Sequence, residues 1–242
     1  MKGATPEGAR SEREAATWVR AMFGRVAPRY DLANHLLSFH IDRWWRARTV
    51  RRVTPILERP GARVLDLCCG TGDLVVALQR VCPQPVFGSD FCHPMLLAAR
   101  AKLTRQTAPS LLFEADALRL PVRDGSLDLV TVAFGFRNLA NYAAGLREMR
   151  RVLRPGGSLF VLEFSQAWPF IRPFANLHIH RVAPALAGWL TGDRAAYEYL
   201  GTSIEAFPGR EAVSAEIRAA GFPAVSATPM TMGVVALHAA RR

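Results

Sequence analysis

The chain has 242 residues, half of them apolar, with 31 Lys and Arg against 20 Asp and Glu for a formal charge of +11. A mean hydropathy near zero, +0.08, excludes a disordered polyelectrolyte, and size scaling lets a chain of this length bury roughly 70–75% of its unfolded surface. Its apolar run Val182–Leu190 is interrupted by Pro184 and falls short of the ~20 residues that a bilayer span needs.

Met1 to Trp18 is charged throughout and lacks the apolar centre of a secretion signal. Cys68, Cys69, Cys82 and Cys92 form no Cys-x-x-Cys pair, and two of them are adjacent, so reduced, buried thiols are expected rather than a disulfide or a metal site. A cytoplasmic location follows as an expectation.

From the N-terminus to about Arg59 the pattern is helical, with Ala15, Val19, Met22 and Phe23 at helical spacing and a second helix expected from about Phe39 to Leu57. In that second helix Arg43, Arg46, Arg48, Arg51 and Arg52 surround Trp44 and Trp45. The mixture suits a solvated basic face, or the surface of an anionic membrane, where basic residues meet head groups and indoles sit at the interface. Nucleic acid is disfavoured, because no zinc-finger spacing, RNP-like aromatic motif or Gly-x-x-Gly clamp is present. Pro60-Gly61 then punctuates the chain, giving an N-terminal helical cap over residues 1–60 and one domain over 61–242.

Beyond it, apolar strand-like runs at Arg63–Leu67, Pro85–Ser89, Leu111–Glu114, Leu127–Ala133 and Ser158–Glu163 alternate with helix-like runs at Thr71–Val81, Pro94–Arg105 and Tyr142–Leu153. Alternation of this kind builds βαβ units, hence an α/β fold with a Rossmann-like parallel sheet and helices on both faces. Residues 166–208, with Pro169, Pro173 and Pro184 among aromatic and histidine residues, break the rhythm and are expected as a helical insertion over the site. A helix at Arg210–Ala220 and two strands, Ala224–Thr228 and Gly233–His238, close the chain. The hairpin between those strands makes seven strands in all and places an antiparallel strand last.

The segment Arg63–Asp73 carries most of the chemistry, since an apolar strand ending in Asp66 runs into Gly70-Thr71-Gly72. Glycine lets a ligand lie against bare backbone. Acids flank the turn, and Asp90 follows the next strand, which favours a cationic nucleoside with a free ribose over a pyrophosphate. A dinucleotide fingerprint would also need a third glycine where Val75 stands. S-adenosylmethionine, a sulfonium with two ribose hydroxyls, meets the description. Ligands of open parallel sheets bind beyond the carboxyl ends of the strands, where Asp66, Gly70, Thr71, Gly72, Asp90, Phe91, Asp116, Ala117 and Ala133 are all placed. Asp90 is expected to accept from both ribose hydroxyls and Asp116 from the adenine amino group, with Phe91 and Met95 against the purine.

Longer blocks carry a resemblance. Arg151–Ser165 with its Arg-Pro-Gly-Gly centre, the loop Phe134-Gly-Phe-Arg-Asn138, Tyr30-Asp31-Leu-Ala-Asn34 followed by Leu37-Ser38 and Trp45, Tyr197-Glu-Tyr-Leu200 and Gly233–His238 are together similar to the ubiquinone and menaquinone biosynthesis C-methyltransferases. These are class I S-adenosylmethionine-dependent methyltransferases, and the match runs from about Met22 to His238. Ala33, Asp42 and Ala133 stand where that family usually has Met, His and Ser.

The resemblance implies C-methylation of a reduced polyprenyl quinone precursor, demethylmenaquinol or the ubiquinol precursor. The alternative is methylation of another phenol or a polyketide. A quinone carbon is too electron-poor to attack a sulfonium, so the substrate is expected as the hydroquinone, whose phenol titrates near pH 10 as tyrosine does and needs a base or a cation beside it. Arg137, with Asn138, is the expected cation, and an ion pair fixing its loop is the competing role. Asp31, His178 and His180 are candidate bases. Tyr30, Asn34 and His180 are expected against the substrate. An anionic membrane at the inner face of the cell is the expected surface, with a homodimer or a quinone-synthesis complex left open.

Overall fold

The computed structural model describes residues 3, 4, 6, 8–104, 110–186 and 193–242. Helix α1 (Glu12–Val26) starts at Ser11, whose hydroxyl accepts from the Glu14 N–H, and buries Ala15, Val19, Met22 and Val26 at helical spacing. A 3₁₀ turn, Ala27–Arg29, leads into α2 (Tyr30–Leu37), and α3 (Ile41–Leu57) follows. The second helix expected from Phe39 therefore begins at Ile41, because Phe39 and His40 adopt left-handed backbone, φ +51° and +60°, and turn the chain between α2 and α3.

The sheet is built from β1 (Val64–Leu67), β2 (Phe87–Asp90), β3 (Leu111–Glu114), β4 (Leu127–Ala133), β5 (Leu153–Phe164), β6 (Ala224–Met230) and β7 (Val235–Arg241). Its spatial order is β3-β2-β1-β4-β5-β7-β6. The pairs among β1 to β5 are parallel, and β7 runs antiparallel to both neighbours, β5 and β6. Helices α4 (Asp73–Gln79), α5 (His93–Leu103), α6 (Tyr142–Val152) and α9 (Arg210–Ala219) cross over between strands. The expected end of α5 at Arg105, part of the insertion (187–192) and residues 1, 2, 5 and 7 of the cap lie outside the described residues.

Successive side chains of a strand point to opposite faces, and the two cores follow that rule. Val64, Leu129 and Leu162 pack with Val53 and Leu57 of α3 and Val75 and Leu78 of α4. Leu65, Val130 and Val161 pack with Leu146 and Met149 of α6 and Val213 and Ile217 of α9. Helix α3 is thus a layer of the sheet domain, so the expected boundary at residue 60 runs through a shared core. The rest of the N-terminal region joins the insertion: Met22, Val26 and Ala33 pack with Ala183, Ala196 and Tyr197 in a third core. That insertion contains α7 (Arg172–Leu177), a π-helical turn (His178–Val182) and α8 (Arg194–Ala206). Strands β2, β5, β6 and β7 differ from the expected spans by a few residues, chiefly because β5 begins five residues earlier, at Leu153.

Candidate active site

Strand β1 ends at Leu67 and the chain turns through Cys68 (φ +55°) and Gly70 (φ +53°) into α4. A side chain at Gly70 would meet no atom within 4 Å, because the space in front of it is a cavity. Gly70 N–H donates to Asp90 Oδ2 at 2.8 Å and Cys92 N–H to Asp90 Oδ1 at 2.9 Å. These bonds lock the carboxylate at the tip of β2 against the glycine turn. Asp66 is almost wholly enclosed and accepts from the Thr131 hydroxyl at 2.7 Å. Leu118 N–H donates to Asp116 Oδ1 at 2.9 Å, which orients that carboxylate after β3.

Asp66, Gly70, Thr71, Asp90, Phe91 and Asp116 all line this first cavity, of about 90 Å³, as do Met95, Ala117 and Ala133. Gly72 does not line it and instead starts α4 with φ +84°. Helix α1 closes one side with Ala16 and Phe23, and the Arg20 guanidinium lies 5.2 Å from the centre of the Phe91 ring.

Burial pushes the Asp66 carboxyl up to about 7 and the Asp90 carboxyl up to about 6; the backbone N–H groups of Cys92, Gly70 and Phe91 restrain the second. A carboxyl raised by folding favours the protonated state in the folded protein, so the ligand-free fold gains stability as pH falls from about 7 towards 4. Affinity for a cationic ligand moves the other way. We expect S-adenosylmethionine binding, followed calorimetrically from pH 8 to pH 5, to weaken roughly ten-fold per unit between about pH 7 and pH 6 and more steeply below, with a flatter profile around pH 7 in Asp66→Asn.

Asp31 stands outside the lining of both cavities. It accepts from the Thr71 hydroxyl at 2.5 Å and pairs with Lys102 Nζ at 2.7 Å. Lys102 also pairs with Asp73, and Arg46 with Asp42, which in turn accepts from Ser38 Oγ at 2.6 Å and meets His35 Nδ1 at 2.8 Å. The network staples α2 and α3 to the glycine turn and α5. An aspartate held by an ammonium and a hydroxyl is a tie between elements rather than a free base.

A second cavity, of about 300 Å³, lies between the N-terminal helices and the insertion and is mostly apolar. It shares Phe23, Tyr30, Arg46, Phe134 and Asn138 with the first, so the two open onto a common wall. Asn34, Trp45, Phe164, Phe174 and His178 also line it. His178 Nε2–H donates to the Leu37 carbonyl at 2.8 Å, since a carbonyl can only accept. His180 does not line this cavity. Its Nε2 lies 3.5 Å from Glu205 near the surface. Of the two histidines, only His178 reaches the cavity.

The common wall is held by the Phe134–Asn138 loop. Phe134 is itself left-handed, φ +59°, and a Cβ on Gly135 would come within 2.4 Å of Cys68 Cβ, so the tips of β1 and β4 meet there with no room for a side chain. Arg137 is 4% exposed and pairs at 2.8 Å with Glu163, which is fully enclosed. Its Nη1 also donates to the Phe134 carbonyl at 2.6 Å, and Glu163 accepts from the Arg137 N–H at 3.1 Å. Arg137 therefore both lines the apolar cavity and fixes its own loop. Sequence reasoning missed Glu163 as a site residue. An acid inside the apolar run Leu159–Phe164 was its signal. Arg46 was read only as part of a basic helix face, and its spacing of four from Asp42 was the sign that it turns inward.

A seven-stranded sheet in this order, with one reversed strand between the fifth and the sixth, and with acids at the tips of its first two strands, defines the class I S-adenosylmethionine-dependent methyltransferase fold. Two solved methyltransferases of that dependence share it: one from Thermotoga maritima (TM-score 0.64, 16% identity, 91% of this chain and 98% of that one) and one from Aquifex aeolicus (TM-score 0.57, 16% identity, 81% and 88%). Sequence is more specific than fold here. The model of the ubiE/COQ5 methyltransferase family matches residues 9–242. A demethylmenaquinone methyltransferase of Thermus thermophilus is 47% identical over 91% of this chain and 100% of its own length. A ubiquinone/menaquinone biosynthesis C-methyltransferase of Cupriavidus metallidurans is 37% identical over 96% and 95%. The chain belongs to the ubiE/COQ5 methyltransferase family and is a methyltransferase.

Proposed function

We propose that this enzyme methylates a ring carbon of a reduced polyprenyl quinone precursor, with demethylmenaquinol as the preferred substrate, at the inner face of the cell membrane. The observation that carries the reading is the pair of cavities, one edged by acids and one apolar, that meet at Tyr30, Arg46, Phe134 and Asn138. Relatives named for demethylmenaquinone reach 41–47% identity, whereas those named for both quinones reach 37–38%, which favours the naphthoquinol. Another phenol or a polyketide is not favoured by these relatives.

S-adenosylmethionine, when bound, supplies an electrophilic methyl group. The donor set fits it: Asp90 would accept from ribose hydroxyls, Asp116 would accept from an exocyclic amine, Asp66 would hold the positive end, and Phe91 and Met95 would flank the purine. Tyr30 reports on the electrostatics of the common wall. Burial raises its phenol, and Arg137 and then Arg46 pull it back down. A hydroquinone hydroxyl lodged beside Tyr30 feels the same two cations, which lowers the cost of its phenolate and pushes electron density onto the ring carbon. Asn138 orients the ring oxygen, and Tyr30, kept neutral, remains a hydrogen-bond donor.

The test is an anaerobic assay with methyl-labelled S-adenosylmethionine and each quinone in reduced and oxidised form. We expect label on a ring carbon of demethylmenaquinol, at least ten-fold more slowly on the ubiquinol precursor, and none on the oxidised quinones. Label on oxygen, or on neither quinol, refutes the proposal.

A further inference from the structure

Around the mouth of the apolar cavity the protein exposes several large apolar side chains to solvent. Phe39 is 70% exposed, Phe170 66% and Phe174 72%, and Ile41, Trp44, Trp168 and Leu177 are exposed as well. They form one surface. Phe39 lies 5.3 Å from His178, Trp168 lies 6.0 Å from Phe170, and the Trp168 N–H donates to the carbonyl of exposed Met232 at 2.9 Å. Helix α7 and the π-helical turn after it contain no buried residue, although Phe174 and His178 edge the cavity. Solitary exposed apolar residues are ordinary, but a contiguous set with a basic rim marks an interaction surface.

Charge decides what that surface meets. Residues 165–186 carry Arg172 and Arg181 and no acid, residues 32–41 carry no acid, and residues 43–57 carry five arginines and no acid. Arg43, Arg48, Arg51, Arg52, Arg172 and Arg181 are exposed, and the Arg48 guanidinium lies 5.9 Å from the Trp44 ring. Aromatic rings flanked by guanidiniums match the boundary between head groups and acyl chains of an anionic bilayer.

We propose that the α2–α3 turn, α7 and the π-helical turn form a docking lip that seats on an anionic lipid bilayer and sets the cavity mouth against the acyl layer. This deepens the reading of a polyprenyl substrate and rests on it for its purpose. Phe39, Phe170 and Leu177 enter the interface, while Arg172 and Arg181 sit at phosphate level. A long-tailed quinol then slides from bilayer to cavity without crossing water.

The experiment is flotation of the intact protein with phosphatidylglycerol or phosphatidylcholine vesicles, using Phe170→Ser/Leu177→Ser, whose side chains line neither cavity, and Arg172→Gln/Arg181→Gln. We expect at least ten-fold tighter binding to phosphatidylglycerol, a loss of ten-fold or more in the apolar double variant, and loss of lipid preference in the arginine variant. Melting curves check that both variants fold. Turnover of a short-tailed, water-soluble quinol should stay within about two-fold in the apolar variant, while turnover of a long-tailed quinol in vesicles falls with binding. Equal binding by the apolar variant, no vesicle binding by the unaltered protein, or a vesicle-free dimer that the apolar substitutions dissociate overturns the proposal. Failure to methylate even the soluble quinol defeats the functional reading instead and leaves the vesicle result standing.

Discussion

Replacing Arg137 with methionine is expected to destabilise the protein by about 3–5 kcal/mol and to abolish turnover, because the Glu163 carboxyl loses its cationic partner in a site without solvent. For a chain of this size that corresponds to a drop in melting temperature of roughly 10 °C. Loss of activity in the single variant therefore says little about chemistry. The informative protein is Arg137→Met/Glu163→Gln, in which no buried charge is left unpaired and the Gln carbonyl retains an acceptor for a loop N–H group. Its melting temperature should recover most of the loss, and its affinity for S-adenosylmethionine should match the unaltered protein, since neither residue lines that cavity. Turnover should stay depressed by about 10²–10³, the usual effect of removing one group that stabilises developing charge. Recovery of turnover along with stability would reduce Arg137 to a brace for its loop.

A second large effect is expected at Asp90. Asp90→Ala removes the acceptor of both the Gly70 and the Cys92 N–H groups as well as the acceptor proposed for two ribose hydroxyls. With about 1.5–3 kcal/mol for each hydrogen bond to a charged group, affinity for S-adenosylmethionine should fall by at least 10². Asp90→Asn refines the test. It keeps one acceptor for the turn and removes a carboxyl whose ionisation burial opposes, while its NH2 cannot accept from the second N–H, so the ligand-free protein should melt above Asp90→Ala while affinity still falls. Calorimetry with an unchanged dissociation constant in both variants would remove Asp90 from the cofactor site.

The order of elements was plain in the sequence because each crossover helix and buried strand has its own period, and because Pro60-Gly61 and Gly221 punctuate them. The acids at the strand tips could be read for a similar reason. A charged residue at the end of a continuous apolar run has few structural uses. Pairings between distant segments could not be read. Nothing local in Tyr30–Asn34 says that Asp31 will be claimed by Lys102, and nothing in the insertion says that His178 turns inward while His180 meets Glu205. The break between α2 and α3 was hidden because Phe39 and His40, both ordinary helix residues, take left-handed backbone only under tertiary constraint. In the sequence Glu163 is merely the end of a strand, since a buried ion pair shows itself only when both partners are placed.

Strand β7 lies between β5 and β6, the Trp45 indole donates to Thr231 at 2.8 Å, and Thr231 and Val234 line the apolar cavity. Part of the apolar cavity is thus furnished by segments 186 positions apart. Synthesis must pass Val234 before that floor can be laid, and a nascent chain that has made β5 but not β7 has a sheet ending in an open β5 edge. Loop closure over such distances is slow. During synthesis the half-built molecule therefore offers an unzipped strand and a basin without a bottom, the kind of surface that invites aggregation until β7 closes it.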